Sequence, residues 1–186
     1  MRKDFGSKPY VYPQPVFILG TYDEEGIPNA MNAAWGGIYD DDKIFICLAS
    51  HKTTDNIKKM RSFTISVADL PHLKQADYVG LVSGNEIKDK VAKCHLTPIK
   101  SKFVNAPIFE EFPICIECEL DEELSVGVVG KVINVSIDER VLGENNKIDP
   151  EKLQAISYDS MNHNYLLVSK TVGKAFNTEV IKEYHK

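Results

Sequence analysis

The residues of this chain that could do chemistry concentrate in two short segments. The first, Ser50-His51-Lys52-Thr53-Thr54-Asp55-Asn56-Ile57, brings hydroxyls, an imidazole, a lysine and a carboxamide to the predicted start of a helix. Backbone N–H groups, the positive end of the helix dipole and side-chain donors can meet there on one anion, which suits the phosphate of a mononucleotide. Lys52, Lys58, Lys59 and Arg61 stand against a single acid, Asp55, so the segment is locally basic. The same residues also read as a capped helix with a solvated basic face, with Thr53 or Thr54 as the cap. The second segment, Asn29, Ala30, Met31, Asn32, Ala33, Ala34, Trp35, Gly36 and Gly37, is rich in small side chains. Small residues on a strand let a flat ring system approach backbone N–H and C=O groups, with Trp35 as a wall of the pocket. A tightly packed hairpin strand with Trp35 as its core anchor is the competing reading.

Other candidates carry less. Cys115-Ile116-Glu117-Cys118 has C-x-x-C spacing and, with Cys94-His95, four residues of zinc-ligating type. On an extended strand, residues three apart point to opposite faces, so the two thiols do not converge on one ion. No helix start follows to lower a thiol pKa, so a redox role fails as well and no metal is expected. His51, His72, His95, His163 and His185 are scattered, and only His51 has neighbours of chemical interest. The chain lacks G-x-G-x-x-G, the P-loop pattern, H-E-x-x-H and G-x-S-x-G. Dinucleotide-fold, P-loop, zincin and α/β-hydrolase readings lose their main support.

The elements that must position these residues read as mainly β. Val16–Leu19 is a buried strand, Asp23–Gly26 its turn, and Asn29–Ile38 the returning strand of a hairpin; Lys43–Leu48 follows as a third strand, in meander order. A short helix over Asp55–Met60 precedes the alternating strand Ser62–Val67. Pro71–Cys94 has helical spacing broken near Ser83-Gly84-Asn85, giving two short helices. Phe112–Leu120, Ser125–Ile137 and Tyr165–Val168 are further strands, and Asp149-Pro150 opens a helical turn. A closed or split β-barrel with a few helices around it leaves the fewest free strand edges.

Composition bounds the function classes. At 186 residues the chain holds one sizeable core, so a single domain over residues 1–186 is expected. With 22 Lys+Arg against 27 Asp+Glu, a net charge of −5 and a pI near 5.6, it has no global attraction for nucleic acid or an anionic membrane. Any phosphate must therefore be gripped locally. Four cysteines are too few for a disulfide scaffold, and no secretory or membrane-spanning run is present, so a cytoplasmic protein is expected.

Taken in order, Pro15–Thr21, Gly26–Trp35, Lys52–Ile57, Val82-Ser83-Gly84 with Asp89-Lys90, Ala106-Pro107 with Ile116–Cys118, Gly130–Val132 and Val172–Phe176 resemble the flavin reductase-like, FMN-binding split-barrel family, in its flavoredoxin-like branch. The resemblance implies a homodimeric split β-barrel of Greek-key type with FMN at the subunit interface. By the same resemblance Asn29, Ala30, Met31, Asn32, Ala33, Ala34 and Trp35 line the isoalloxazine. Ser50, His51, Lys52, Thr53, Thr54 and Asn56 surround the phosphate and ribityl chain, and Ser83, Gly84 and Lys90 close the pocket. The implied activity is an oxidoreductase moving electrons from NAD(P)H to flavin or another acceptor. The alternative is an electron carrier whose bound FMN is served by a redox protein. Two positions depart from the family pattern: Glu122–Gly127 stands where many members carry Gly-Asp-His, and Ser169 replaces a frequent glycine. No catalytic side chain is assigned.

Overall fold

The computed structural model describes residues 1–184. Its strands are β1 (Gln14–Pro15), β2 (Phe17–Tyr22), β3 (Pro28–Ala33), β4 (Gly36–Asp40), β5 (Lys43–Cys47), β6 (Ser62–Val67), β7 (Pro98–Lys100), β8 (Pro107–Phe109), β9 (Ile114–Leu124), β10 (Gly127–Ile137), β11 (Ala155–Asp159) and β12 (Asn164–Val168). The helices are α1 (Lys52–Met60), α2 (Leu73–Leu81), α3 (Lys90–Lys93), α4 (Pro150–Leu153) and α5 (Glu179–Tyr184). Seven strands form one antiparallel sheet in the order β3-β2-β6-β9-β10-β5-β4, while β1, β11 and β12 form a second and β7 and β8 a two-stranded arm.

That order corrects two expectations. The stretch Asn29–Ile38 is not one strand, and the first strands do not run as a meander. The chain breaks at Ala34-Trp35, so β3 pairs with β2 at one edge of the sheet and β4 with β5 at the other. Two residues reach about 11 Å between flanking Cα atoms at 3.8 Å per step. A flat sheet of this order would hold its first and last strands about 29 Å apart at 4.8 Å per pair. The sheet must therefore curl until its edges nearly meet, which makes the split barrel. Trp35 O accepts a hydrogen bond from Cys47 N at 2.8 Å where they do.

Side-chain alternation along the strands divides the core. Leu19, Ile46, Ile57, Phe63, Ile65, Cys118 and Val128 pack on one face of the sheet, with α1 contributing Ile57. Val16, Ile18, Val79, Val91, Phe109, Phe112 and Ile156 pack on the other, under α2, α3, β8 and β11. Cys118 belongs to the first cluster and Cys115 does not, as the alternation on β9 requires. Both thiols are buried, and burial pushes each up to about 12, so neither is a nucleophile at neutral pH. On the same strand Glu117, the first of five acids in a short run, is buried. Its carboxylate accepts from Ser101 Oγ, and from Asn134 Nδ2 at 2.6 Å. Together with Thr64 Oγ1 donating to Pro107 O at 2.6 Å, this bond fixes the β7–β8 arm across the sheet.

α1 begins earlier than expected, at Lys52, with His51 rather than a threonine in the cap position. Asp149, accepting from Glu151 N and Lys152 N, caps α4 where the Asp149-Pro150 pair indicated. The three-residue strands β7 and β8 are too short to show a period, and β11 was not read from the sequence.

Candidate functional site

The N-terminus of α1 is tied to the sheet by three of its own polar side chains. Asn29 Nδ2 donates to Thr53 Oγ1 at 2.7 Å, Thr54 Oγ1 donates to Ala49 O at 2.7 Å, and Asn56 Nδ2 donates to Thr21 Oγ1 at 3.0 Å. Extended backbone at His51 (φ −140°, ψ 160°) starts the helix without a side-chain capping bond. First-turn N–H groups are thus left for a ligand or water. Asn29 Oδ1 is buried and has no partner among the described residues. Gly84 sits directly over it: a Cβ there would lie 2.4 Å from that oxygen.

The basic face of α1 is not the open cationic surface that the charge count suggested. Lys59 pairs with Glu24 at 2.6 Å, Lys58 and Arg61 each approach Glu123 at 3.3 Å, and Lys52 stands 3.6 Å from Asp23. The β2–β3 turn and the end of β9 supply these acids, so folding neutralises the helix face and leaves Lys52 as its cation beside the cavity. The second cation there is Lys90. It is buried at 2% exposure, and its Nζ donates to Val82 O at 2.9 Å and Val79 O at 3.3 Å, carbonyls at the C-terminal end of α2. Desolvation brings this amine down to about 8.

These groups line a cavity of about 340 Å³ together with Met31, Asn32, Ala33, His51, Thr53, Ser83 and Gly84. Through Asn32, Cys47, Gly80 and Leu81 it continues into a second cavity of about 580 Å³, walled by Ala34, Trp35, Asp77, Tyr158, His163 and Tyr165. α2 lies close on β3 between them. Asn32 Nδ2 donates to Ala76 O at 2.9 Å, and a Cβ on Gly80 would come within 2.9 Å of Asn32 Cβ. Tyr165 donates its hydroxyl to Asp77 Oδ1 at 2.8 Å; burial first, then the Asp77 bond and charge, push that phenol up to about 12. Tyr158 OH and His163 Nδ1 share a hydrogen bond of 2.7 Å.

Nine of the residues singled out in the sequence, Met31, Asn32, Ala33, His51, Lys52, Thr53, Ser83, Gly84 and Lys90, thus line one cavity; Ala34 and Trp35 line the next. Trp35 is 53% exposed, which removes the core-anchor reading. Asn29 lines a small third hollow with Asp23, Lys52, Gly84 and Lys88. Ser50 and Thr54 face a separate hollow against Leu124 and Ser125, while Ala30 packs in the core and Asn56 is buried against Thr21. His185 lies outside the described residues. Asp77, Tyr158, His163 and Tyr165 were missed in the sequence, because β11 and β12 meet β3 only through the fold.

The confluent cavities suit one elongated molecule with an anionic end and a flat end. The narrower part offers Lys52, Lys90, two hydroxyls and a helix start, and the wider part offers aromatic and small walls. Cys47, a free thiol, lies where the two parts join. No described helix is long and apolar enough to cross a membrane.

Comparison with known proteins follows the same lines. Residues 9–157 match the model of a family described as the flavin reductase like domain. The structure is similar to that of flavoredoxin from Desulfovibrio vulgaris (Miyazaki F), with a TM-score of 0.91 and 33% identity, covering 96% of this chain and 100% of that one. It is also similar to flavoredoxin from Methanosarcina acetivorans, with a TM-score of 0.84 and 24% identity over 96% and 97% of the two chains. A relative from Aquifex aeolicus (strain VF5), described as an uncharacterized protein, is 24% identical over 161 residues, 78% of this chain and 80% of that one.

Proposed function

The chain belongs to the flavin reductase-like domain family, and on that premise we propose that it is an FMN-dependent oxidoreductase, a single domain over residues 1–186 that draws electrons from NAD(P)H. The observation that carries this reading is the pair of joined cavities, one cationic and polar, the other aromatic. In this reading Lys52, Thr53, Lys90 and the start of α1 hold the phosphate, and Ser83 and Gly84 close over it. His51 and Asn29 flank the ribityl chain. Met31, Asn32, Ala33, Ala34 and Trp35 lie along the ring, joined by Tyr165. Ser50, Thr54, Asn56 and Ala30 act by fixing the backbone of α1 and β3. Asn29 acts through its amide, which donates to Thr53 Oγ1 at the start of α1.

When bound, FMN supplies the hydride and electron chemistry, and the protein supplies binding, orientation and electrostatics. Ile38 at 91% exposure, Leu81 at 77% and Phe176 at 102% leave apolar surface around Trp35 and the C-terminal segment, which supports a homodimer with the site near its interface. The four free cysteines suit a reducing compartment, and we place the protein in the cytoplasm.

A second reading is a flavoredoxin-like carrier whose FMN is reduced by a redox protein. The full-length similarity to flavoredoxin favours it. Anaerobic mixing separates the two. Bleaching of bound FMN by NADH or NADPH supports the enzyme; bleaching only by a reduced redox protein supports the carrier. A colourless protein that leaves the fluorescence of added FMN unquenched overturns both.

A further inference from the structure

The fold brings one histidine, His163, to the aromatic cavity. His163 occupies the turn between β11 and β12 with a left-handed backbone (φ 56°). That turn is held by the buried Asp159, whose Oδ1 accepts from Met161 N at 2.9 Å and Asn162 N at 3.2 Å, and whose Oδ2 accepts from Asn162 Nδ2 at 2.7 Å. The Tyr158 hydroxyl at 2.7 Å engages His163 Nδ1, and Nε2 has no hydrogen-bond partner among the described residues. A tyrosine hydroxyl both donates and accepts, so this bond survives protonation of the ring: Tyr158 gives a proton to neutral imidazole and accepts one from imidazolium. An imidazole so held can exchange a proton without losing its position.

We infer that His163, positioned by Tyr158, is the proton-exchanging residue of this cavity, an inference that rests on the flavin reading above. Hydride transfer from a dihydronicotinamide carries two electrons and one proton, so the reduced ring needs one further proton to be neutral. His163 imidazolium would give that proton from Nε2 and become neutral, and on reoxidation the neutral Nε2 would take a proton back, so the imidazole ends the cycle as it began. The charged or titratable groups facing it are Tyr158 and Asp159 of β11, Tyr165 of β12 and Asp77 of α2. The carboxyl of Asp159 is held below its usual range by the Asn162 amide and by the backbone N–H groups of the turn, with the His163 charge adding to the effect. Histidine is the side chain whose charge ordinarily changes between about pH 5 and 8, where such an exchange is useful.

The test is the midpoint potential of bound FMN against pH, in the wild type, His163→Gln and Tyr158→Phe. The reduced ring's own ionisation already bends the curve, so a bend is expected in every variant, and His163→Gln and Tyr158→Phe are each expected to move it to another pH. Superimposable curves for the wild type and His163→Gln overturn the role of His163 and leave FMN binding standing. If His163→Gln does not retain flavin, an unmoved bend in Tyr158→Phe overturns it instead. A wild-type protein that takes up no flavin overturns both this inference and the reading beneath it.

Discussion

Burial strips water from the ammonium of Lys90, and two carbonyl oxygens at the end of α2 replace only part of that shell, so the amine falls from its ordinary 10.5 to about 8. Below about 8 the folded and unfolded chains both carry the proton. Between about 8 and 10.5 only the unfolded chain does, so stability rises with pH across that window. Lys90→Met is expected to abolish this rise, measured by urea unfolding on either side of the window. Ligand binding has the opposite sign. A phosphate beside Nζ restores the charge that burial suppresses, so FMN affinity is expected to fall as pH climbs through about 8, and Lys90→Met to flatten that dependence. Equilibrium fluorescence titration of FMN against pH reads it directly.

At the scale of the element, α1 separates cations that bind from cations that only solvate. Lys52, 3.6 Å from Asp23, lines the cavity, whereas Lys58 and Lys59 pair with carboxylates of β9 and the β2–β3 turn at exposed positions away from it, where such pairs add little. Replacing both with alanine is expected to leave FMN affinity nearly unchanged. Lys52→Ala is expected to weaken FMN about tenfold or more, roughly 1.4 kcal/mol, and riboflavin much less, because the lost contact is to phosphate. Equal losses for the two ligands would put the phosphate elsewhere. The link between α2 and α3 gives a second check. Gly84→Ala drives a methyl against Asn29 Oδ1, 2.4 Å from the ideal Cβ position, and displaces the carboxamide that holds Thr53. FMN binding is expected to weaken and the denaturant midpoint to fall with the lost Asn29–Thr53 bond, while the circular dichroism spectrum stays close to the wild type.

For the whole molecule, the curled sheet decides where the site lies. Its edges β3 and β4 are joined through Ala34-Trp35, so the small-residue strand and Trp35, both proposed to flank the ring, share one corner of the barrel. Binding there to the folded state alone stabilises the protein by mass action, about 2.7 kcal/mol at a hundredfold excess over Kd. A thermal shift that grows with FMN concentration, and is smaller for riboflavin at the same concentrations, is expected. Sedimentation equilibrium is expected to give twice the chain mass of 20.9 kDa. A monomer that binds FMN with unchanged affinity would remove the dimer from the site.

The sequence by itself determined the mainly β class, the hairpin of β2 and β3, a short helix ending at Met60 and the small-residue strand beside it, while the start of that helix at Lys52 came from the structure. Each depends on local spacing: alternation, turn residues and side-chain size act within a few residues of one another. The opposite faces of Cys115 and Cys118 were legible for the same reason. Only the tertiary structure decided that Asn29–Ile38 breaks into two edge strands, since that depends on how seven strands close. It alone decided that Lys58, Lys59 and Arg61 are paired, because Glu24 and Glu123 are brought to them from elsewhere in the chain. The Tyr158–His163 and Tyr165–Asp77 pairs belong to the same class: an isolated histidine in a turn has no spacing to announce it, and its role depends on contacts that exist only once the chain has folded.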